Sequence, residues 1–428
     1  MTVPPLVNRR HWIGGRGKVT VTARKPPTAS FPSAGVLLKL EIRCACGQLY
    51  FADPAHAGQA IRCRCGRILP IPAGSKPPVT APRPHRRIRL PRLHFRPLPV
   101  SPRIARLLAP IAWGYLAVTL AYAALLWLGG DAWWLASVLL FIPRWPLLIP
   151  ALLLLIVLGL TRPRLLLPVV LAVLVALGPG MGYRLGWRGW LAGGTPRAVR
   201  IITFNVRGGE NPQLLAIPQG LEGYQADILV FQECAEGLLD PTYWPAGWTL
   251  RFEQGLCLAS RFPVLQARSL ERVLTGEQGG TGNAVFYRLA ASAGTIDLGI
   301  VHLETPRKGL EPLRYGNQVG AMERNVLVRE VGSRRLSRWL RQQSDSVIIA
   351  GDFNMPVESS IYRTYWGSCR NAFSTVGHGF GWTRFLPHFS IRIDHVLSCS
   401  GWRPLRALVG PDLGSDHLPL IVDLARKD

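Results

Sequence analysis

Six hydrophobic stretches in the C-terminal half of this chain each border a residue that binds metal or handles protons. SVIIAGDFNMP, Ser346 to Pro356, runs from β-branched Val347, Ile348 and Ile349 straight into Asp352 and Asn354. Side chains two apart on a strand share a face, so Asp352 and Asn354 point one way and Phe353 the other. Gly351 permits close backbone approach at that end, and Pro356 stops the element. AVRIITFNV leads to Asn205, DILVFQE to Glu233 and TIDLGIVHLETP to His302. IRIDHVLS carries Asp394 beside His395, and GSDHLPLIVDL opens on Asp416 and His417. Singly, these are a capping Asn, a surface Glu and a core-edge His; six in one region point to one site. Acids, amides and imidazoles together are the groups that metal-assisted phosphodiester hydrolysis needs. A cation neutralises the phosphoryl group, a water is aimed in line, and a proton handler helps the leaving oxygen depart.

The elements that position these residues occupy only part of the chain. Of 428 residues with net charge +25, residues 1–100 hold 18 Lys/Arg against 2 Asp/Glu, residues 101–200 hold 9 against 1, and residues 201–428 hold 23 against 22. The excess is N-terminal, where a basic tail can meet anionic lipid or nucleic acid. The near-neutral C-terminal half lacks the basic footprint of a nucleic-acid reader. Between Leu107 and Tyr183 the charged residues are Asp131, Arg144, Arg162 and Arg164 alone. Leu107 to Gly130, Trp145 to Thr161 and Leu165 to Tyr183 are each apolar enough to cross a bilayer, which takes about 20 residues of helix. Ala132 to Pro143 is too short to cross, and its paired tryptophans suit an interface. Residues 107–183 are therefore expected to be a transmembrane region of about three spans. Basic flanks favour the cytoplasmic side, which puts residues 1–106 inside and the C-terminal half outside; a fourth crossing would return it. The first 30 residues have no apolar core of a signal peptide.

At the N-terminal end, Cys44 and Cys46 in CACGQ and Cys63 and Cys65 in CRCGR form two matching knuckles, each followed by glycine. Paired thiolates at two turns suit one tetrahedral structural Zn²⁺. Residues 38–72 resemble a small zinc ribbon, with the tighter C-x-C in place of the usual C-x-x-C. Residues 1–37 read as a disordered basic tail, 73–106 as a Pro/Arg-rich linker against the inner leaflet, and 184–196 as a tether. Cys234, Cys257, Cys369 and Cys399 imply neither a metal nor a particular pairing.

Residues 197–428 keep the order N, QE, H, GDFN, DH, SDH, and in this they resemble the endonuclease/exonuclease/phosphatase superfamily, which has the DNase I fold. The resemblance implies an α+β fold, a four-layer α/β/β/α sandwich of two mixed sheets with helices outside. Asn325 to Gln343 is expected to be one of those helices. It also implies a divalent-metal-dependent phosphoester hydrolase. Glu233 would be the principal ligand for Mg²⁺ or Mn²⁺, with Asn205 and Asp416 near it. Asp352 would orient or deprotonate the water, Asn354 and His302 would contact phosphate oxygens, and His417, held by Asp394, would stabilise the developing charge. The superfamily selects substrates through variable loops, for which 305–322 is the candidate. His378, His388, His395 and Arg324 read as structural or rim residues. The favoured substrate is a lipid headgroup or small phosphoester at the membrane. The alternatives are an endonuclease acting on nucleic acid and a catalytically decayed, membrane-tethered binding protein. Retention of the whole residue set argues against decay.

Overall fold

The computed structural model describes residues 10–12, 19–21, 40–52, 54–71, 98–191, 194–208, 211, 213–275, 279–292, 294–316 and 319–427. The chain divides into two compact units, Met1–His94 and Phe95–Asp428. In the first, Leu40–Arg43 pairs with Leu49–Ala52 and Ala60–Arg62 with Ile68–Pro70, around a small core of Ile42, Ala52 and Ile71. Each hairpin carries one cysteine knuckle at its turn. Within 1–37, Arg10–Trp12 pairs with Val19–Val21, which corrects the expectation of a wholly disordered tail. The rest of that tail lies outside the described residues, as does the expected linker up to residue 97.

The second unit opens with apolar helices. Helix α1, Pro102–Ala124, starts at Pro102 rather than Leu107, because Ser101 caps its N-terminus and Pro102 suits the first turn. Tighter and wider turns carry it on to Ala132. The short α2, Trp134–Leu140, meets the segment containing α3, Leu148–Thr161, at a bend of 89°. Helix α4, Leu166–Val175, continues to Gly180. Among the described residues, two helical segments, Pro102–Ala132 and Pro163–Gly180, are long and apolar enough to cross a membrane, and the bent pair makes a third if counted as one span. The amide of Leu98 donates to the carbonyl of Leu160 at 2.7 Å, so the start of α1 and the end of α3 lie together, with Arg103, Arg106, Arg162 and Arg164 near them in the chain.

After these helices comes a two-sheet sandwich. One sheet holds β1 (Val199–Asn205), β2 (Ile228–Gln232), β3 (Thr249–Glu253) and β4 (Leu256–Ser260), completed by two later strands. The other holds β5 (Val264–Leu270), β6 (Asn283–Ala291), β7 (Gly294–His302), β8 (Ile348–Asp352), β9 (Arg370–Asn371) and β10 (Asp394–Ser398). The completing strands are β11 (Trp402–Val409) and β12 (Leu420–Arg426). The orders are β3-β4-β2-β1-β12-β11 and β5-β6-β7-β8-β10-β9.

Strand alternation makes the layers. Val199, Ile201, Val230, Leu298, Ile300, Ile348, Ala350 and Val396 face the core between the sheets. Ile202, Phe204, Leu229 and Phe231 face outward onto Ile217 and Leu221, while Val301, Val347 and Ile349 face outward onto Leu336 and Leu340. Those two leucines belong to α6, Val319–Gln343, which follows α5, Arg307–Gly316, and includes the helix expected from Asn325 to Gln343. Sheets inside and helices outside give the mixed, DNase I-like sandwich. Residues 184–191, the first part of the expected tether, pack against the sandwich. Arg184–Leu185 pairs with His378–Gly379, and a helical turn at Trp187–Leu191 brings Gly189 against the Val376 carbonyl.

Two covalent links were not legible beforehand. Cys234 is bonded to Cys257, and Cys369 to Cys399. Both pairs join residues at the ends of neighbouring strands, where antiparallel pairing brings distant cysteines together.

Candidate active site

Parity decides which side chains meet. Asn205 lies on the inward face of β1 with Val199 and Ile201, because its number differs from theirs by an even step. The same count places His302 with Leu298 and Ile300, Asp352 with Ile348 and Ala350, and Asp394 with Val396. Parallel pairing of β7 and β8 sets His302 opposite Asp352, and antiparallel pairing of β8 and β10 sets Asp352 opposite Asp394. These three residues form one transverse row at the end of the sheet. Gly351 makes the row possible: its φ is +150°, and a Cβ there would stand 2.0 Å from the Val301 carbonyl oxygen.

The first sheet faces this row with Asn205 and Glu233. The Asn205 Nδ2 donates to Glu233 Oε1 at 3.1 Å and to Asp352 Oδ2 at 3.0 Å, while its Oδ1 accepts from the Arg207 amide at 3.1 Å. Asn205 thus ties the two carboxylates together with its nitrogen, and its oxygen is turned away from them. Glu233 sits at φ +50°, a conformation that costs a non-glycine residue of order 1 kcal/mol or more and clusters at functional sites. Its side chain is 46% exposed. His302 Nε2 lies 3.7 Å from Glu233 Oε1 and 3.9 Å from Asp352 Oδ2.

Asp352 and His417 are deeply buried. Burial pushes the Asp352 carboxyl above its ordinary range, and the Asp394 charge adds to this, against the pull of His417 and His302. His417 Nδ1 stands 2.8 Å from Asp394 Oδ2, and its Nε2 is 3.9 Å from Asp352 Oδ2. Burial disfavours the His417 cation, but the neighbouring Asp394 charge outweighs it with its hydrogen bond and lifts the ring to about 9. Asn354, at φ +52°, donates its amide to Asp352 Oδ1 at 2.7 Å and its Nδ2 to the Leu303 carbonyl at 2.8 Å.

The site opens into a cavity of about 560 Å³ whose walls include Glu233, His302, Asn354, Asp416 and His417. Arg207, Arg272, Arg307, Lys308 and Arg384 stand around it. Glu304 pairs with both Arg272 and Lys308, and Asp416 with Arg384 at 3.0 Å, so the rim is partly self-neutralised. Asp416 therefore lies on the same cavity as Glu233, with its carboxylate engaged by Arg384. Of the candidate loop 305–322, Thr305, Arg307 and Lys308 line the cavity. Arg384 falls in no motif, and Glu304, although it stands in TIDLGIVHLETP two residues beyond His302, was not singled out from sequence. His395 is a core residue, its Nε2 donating to the Met355 carbonyl at 3.0 Å and its Nδ1 accepting from Asn371 at 3.1 Å. His378 contacts the Leu185 carbonyl, the His388 carbonyl accepts from Trp145, and Arg324 is exposed; none lines the cavity.

The donor set fits a hard divalent cation. Glu233 and Asp416 bring carboxylates to the cavity, while Asp352, Asp394 and His417, one ligand atom of each within 4.8 Å of the others, form a second group in which Asp394 already holds His417; the buried Oδ1 atoms of Asp394 and Asn354 have no hydrogen-bond partner. Oxygen-rich sets of this kind suit Mg²⁺ or Mn²⁺. In the first unit, the sulfurs of Cys44, Cys46, Cys63 and Cys65 lie within 4.8 Å of one another. A backbone hydrogen bond from Cys65, followed by one from the Tyr50 hydroxyl, brings the Cys63 thiol down to about 6.

Residues 202–417 match the endonuclease/exonuclease/phosphatase family. A search of curated proteins returned no match. Among solved structures, the chain is similar to a family protein of Bacteroides thetaiotaomicron, at 14% identity over 53% of this chain and 94% of that one, TM-score 0.41. It is similar to D. rerio TDP2 complexed with a single-strand DNA product, at 17% identity over 53% and 98%, TM-score 0.41. It is also similar to the catalytic domain of human Nocturnin with bound sulfate, at 17% identity over 54% and 94%, TM-score 0.41.

Proposed function

Since the chain belongs to the endonuclease/exonuclease/phosphatase family and is thus a hydrolase acting on ester bonds, we propose that it is a membrane-anchored, divalent-metal-dependent phosphoester hydrolase. The observation that carries this reading is the convergence from two sheets of Glu233, His302 and His417 on one cavity, with Asn205, Asp352 and Asp394 buried directly behind them. A bound divalent cation would neutralise charge on the phosphoryl oxygens. Glu233 would hold it, and Asp416 would join by releasing Arg384. Asp352 receives the proton of the attacking water, a task suited to a carboxyl whose affinity for protons is raised by burial. His417, kept cationic by Asp394, faces the developing negative charge, and His302 contacts a phosphate oxygen. Asn205 keeps Glu233 and Asp352 in register.

Anchoring is supported by the apolar helices. Orientation is supported by Arg103, Arg106, Arg162 and Arg164, which favour the cytoplasmic side. Cysteine state supports it again: disulfides persist in oxidising compartments, and Cys234–Cys257 and Cys369–Cys399 both lie in the catalytic part. The four clustered thiols of the first unit suit a reducing compartment and a structural Zn²⁺. The test is a phosphoester panel with the full chain in detergent and added Mg²⁺ or Mn²⁺. Turnover of at least one phosphomonoester or phosphodiester, abolished by a chelator and restored by the metal, is expected. Metal-independent turnover, or none on any substrate, refutes the reading.

A further inference from the structure

A second cavity, of about 400 Å³, lies where the apolar helices meet the sandwich. Leu140, Ile142, Trp145, Phe380, Trp382 and Phe389 give it an apolar wall. Leu140, Ile142 and Trp145 come from the 89° bend of the apolar α2–α3 pair, and Met181 and Gly182, also on its wall, directly follow the segment Pro163–Gly180, which is long and apolar enough for a bilayer. It is not isolated from the catalytic site. A smaller cavity of about 150 Å³ shares Phe389 and Ile391 with it, and shares Thr305, Arg307, Asn354 and Arg384 with the catalytic cavity. Three adjoining cavities thus mark out one path from the helix ends, past the smaller apolar cavity, to the acids and histidines.

Such a path is apolar at one end and polar at the other. It fits an amphiphile of the same polarity. We propose that the path is the binding site for a phospholipid substrate, with an acyl chain in the helix-end cavity and the phosphoester at Glu233, His302 and Asp352. The proposal rests on the phosphoesterase reading above. Arg392 supplies an independent sign of a ligand. It lines the helix-end cavity, only 5% of it is exposed, and its Nη1 has no hydrogen-bond partner although Nη2 donates to Ser374. A buried N–H without an acceptor is costly, and the ester carbonyl at the head of an acyl chain is an acceptor that would travel with the chain. The other charges there, Arg144 and Glu358, answer each other at 3.6 Å, and Arg144 also donates to the Gly180 and Leu140 carbonyls.

The experiment uses the full chain in detergent with phosphatidylglycerols differing only in acyl length, and bis(p-nitrophenyl) phosphate as the chainless probe. Wild-type kcat/KM is expected to rise at least about tenfold from short to long chains, since each buried methylene contributes. Ser390→Trp, filling the cavity from the sandwich side, and Ile142→Trp, filling it from the helix side, should each remove that rise. A phosphatidylglycerol carrying a diazirine near its chain end should label residues 140–145 and 380–392. Either folded variant keeping the full rise overturns the proposal, as does labelling confined to outward helix residues such as Leu152 and Leu171. Hydrolysis of bis(p-nitrophenyl) phosphate with no acyl-length rise overturns the acyl site alone and leaves the phosphoesterase reading standing. Cavity labelling without hydrolysis of any phosphoester supports the acyl site and refutes the phosphoesterase.

Discussion

Asp352 and Glu233 carry the opposite ends of the proposed chemistry, and each can be changed without altering volume. Asp352→Asn removes the proton acceptor, and Glu233→Gln removes a ligand charge. Each should lower turnover by at least about a hundredfold, in keeping with loss of a base or a metal ligand, with the melting temperature kept near wild type. Turnover within a few-fold of wild type in either variant would refute the assigned roles. His395 makes a separate prediction about pH. Burial, chiefly, brings its folded pKa down to about 3, whereas in an unfolded chain it titrates near 6.5. The unfolded state therefore takes the proton first, so the full stability present above pH ~6.5 is lost as pH falls toward 3. By pH 5 the loss from this one residue is about 2 kcal/mol. Thermal melts across that range should show the slope, and His395→Gln should flatten it; an unchanged slope would refute this account. The residues that the structure brings together were visible in sequence because each borders a hydrophobic run, as Asp352 and Asn205 illustrate. Arg384 was not, because it reaches the cavity through an isolated bridge to His417 that no local pattern announces.

At the scale of elements, the segment that follows β8 is braced from the apolar region. Asp131 at the end of α1 accepts from Arg329 of α6 at 3.1 Å and from the Ser359 hydroxyl, and its own amide donates to the Ser360 Oγ at 2.9 Å. Ser359 caps the helix Ser360–Tyr365, only a few residues beyond Asn354. Both Asp131 and Arg329 are buried, so removing one leaves an uncompensated charge that costs about 3–5 kcal/mol. Asp131→Ala is expected to destabilise the full chain by that amount, read as a lower melting temperature in detergent. The double variant Asp131→Ala with Arg329→Met should recover much of it. No loss in the single variant would show that the pair bears no structural role. The strands and α6 followed from periodicity. The docking did not, although a lone acid among apolar residues was its visible sign; the partner of Asp131 lies 198 positions away in sequence. The fate of residues 184–191 was hidden for a similar reason, since pairing of Arg184–Leu185 with His378–Gly379 depends on the folded sandwich.

For the whole molecule, the proposed orientation predicts where each end can be reached. A cysteine introduced as Lys427→Cys should react with an impermeant maleimide on intact cells. Reaction only after permeabilisation would refute the extracytoplasmic assignment. The first unit is expected to hold one Zn²⁺ per chain, measured by metal analysis of the purified protein, and Cys46→Ser should lower that stoichiometry. The two cysteine sets also have a practical consequence at the bench. A reductant strong enough to keep Cys44, Cys46, Cys63 and Cys65 as thiols works against Cys234–Cys257 and Cys369–Cys399, while an oxidant that protects those bonds offers Cys44, 3.6 Å from Cys65, and Cys46, 3.5 Å from Cys63, a way to join. In a detergent solution, where both cysteine sets meet one redox potential, no single buffer suits the chain, and activity and metal content are best measured on separately prepared samples.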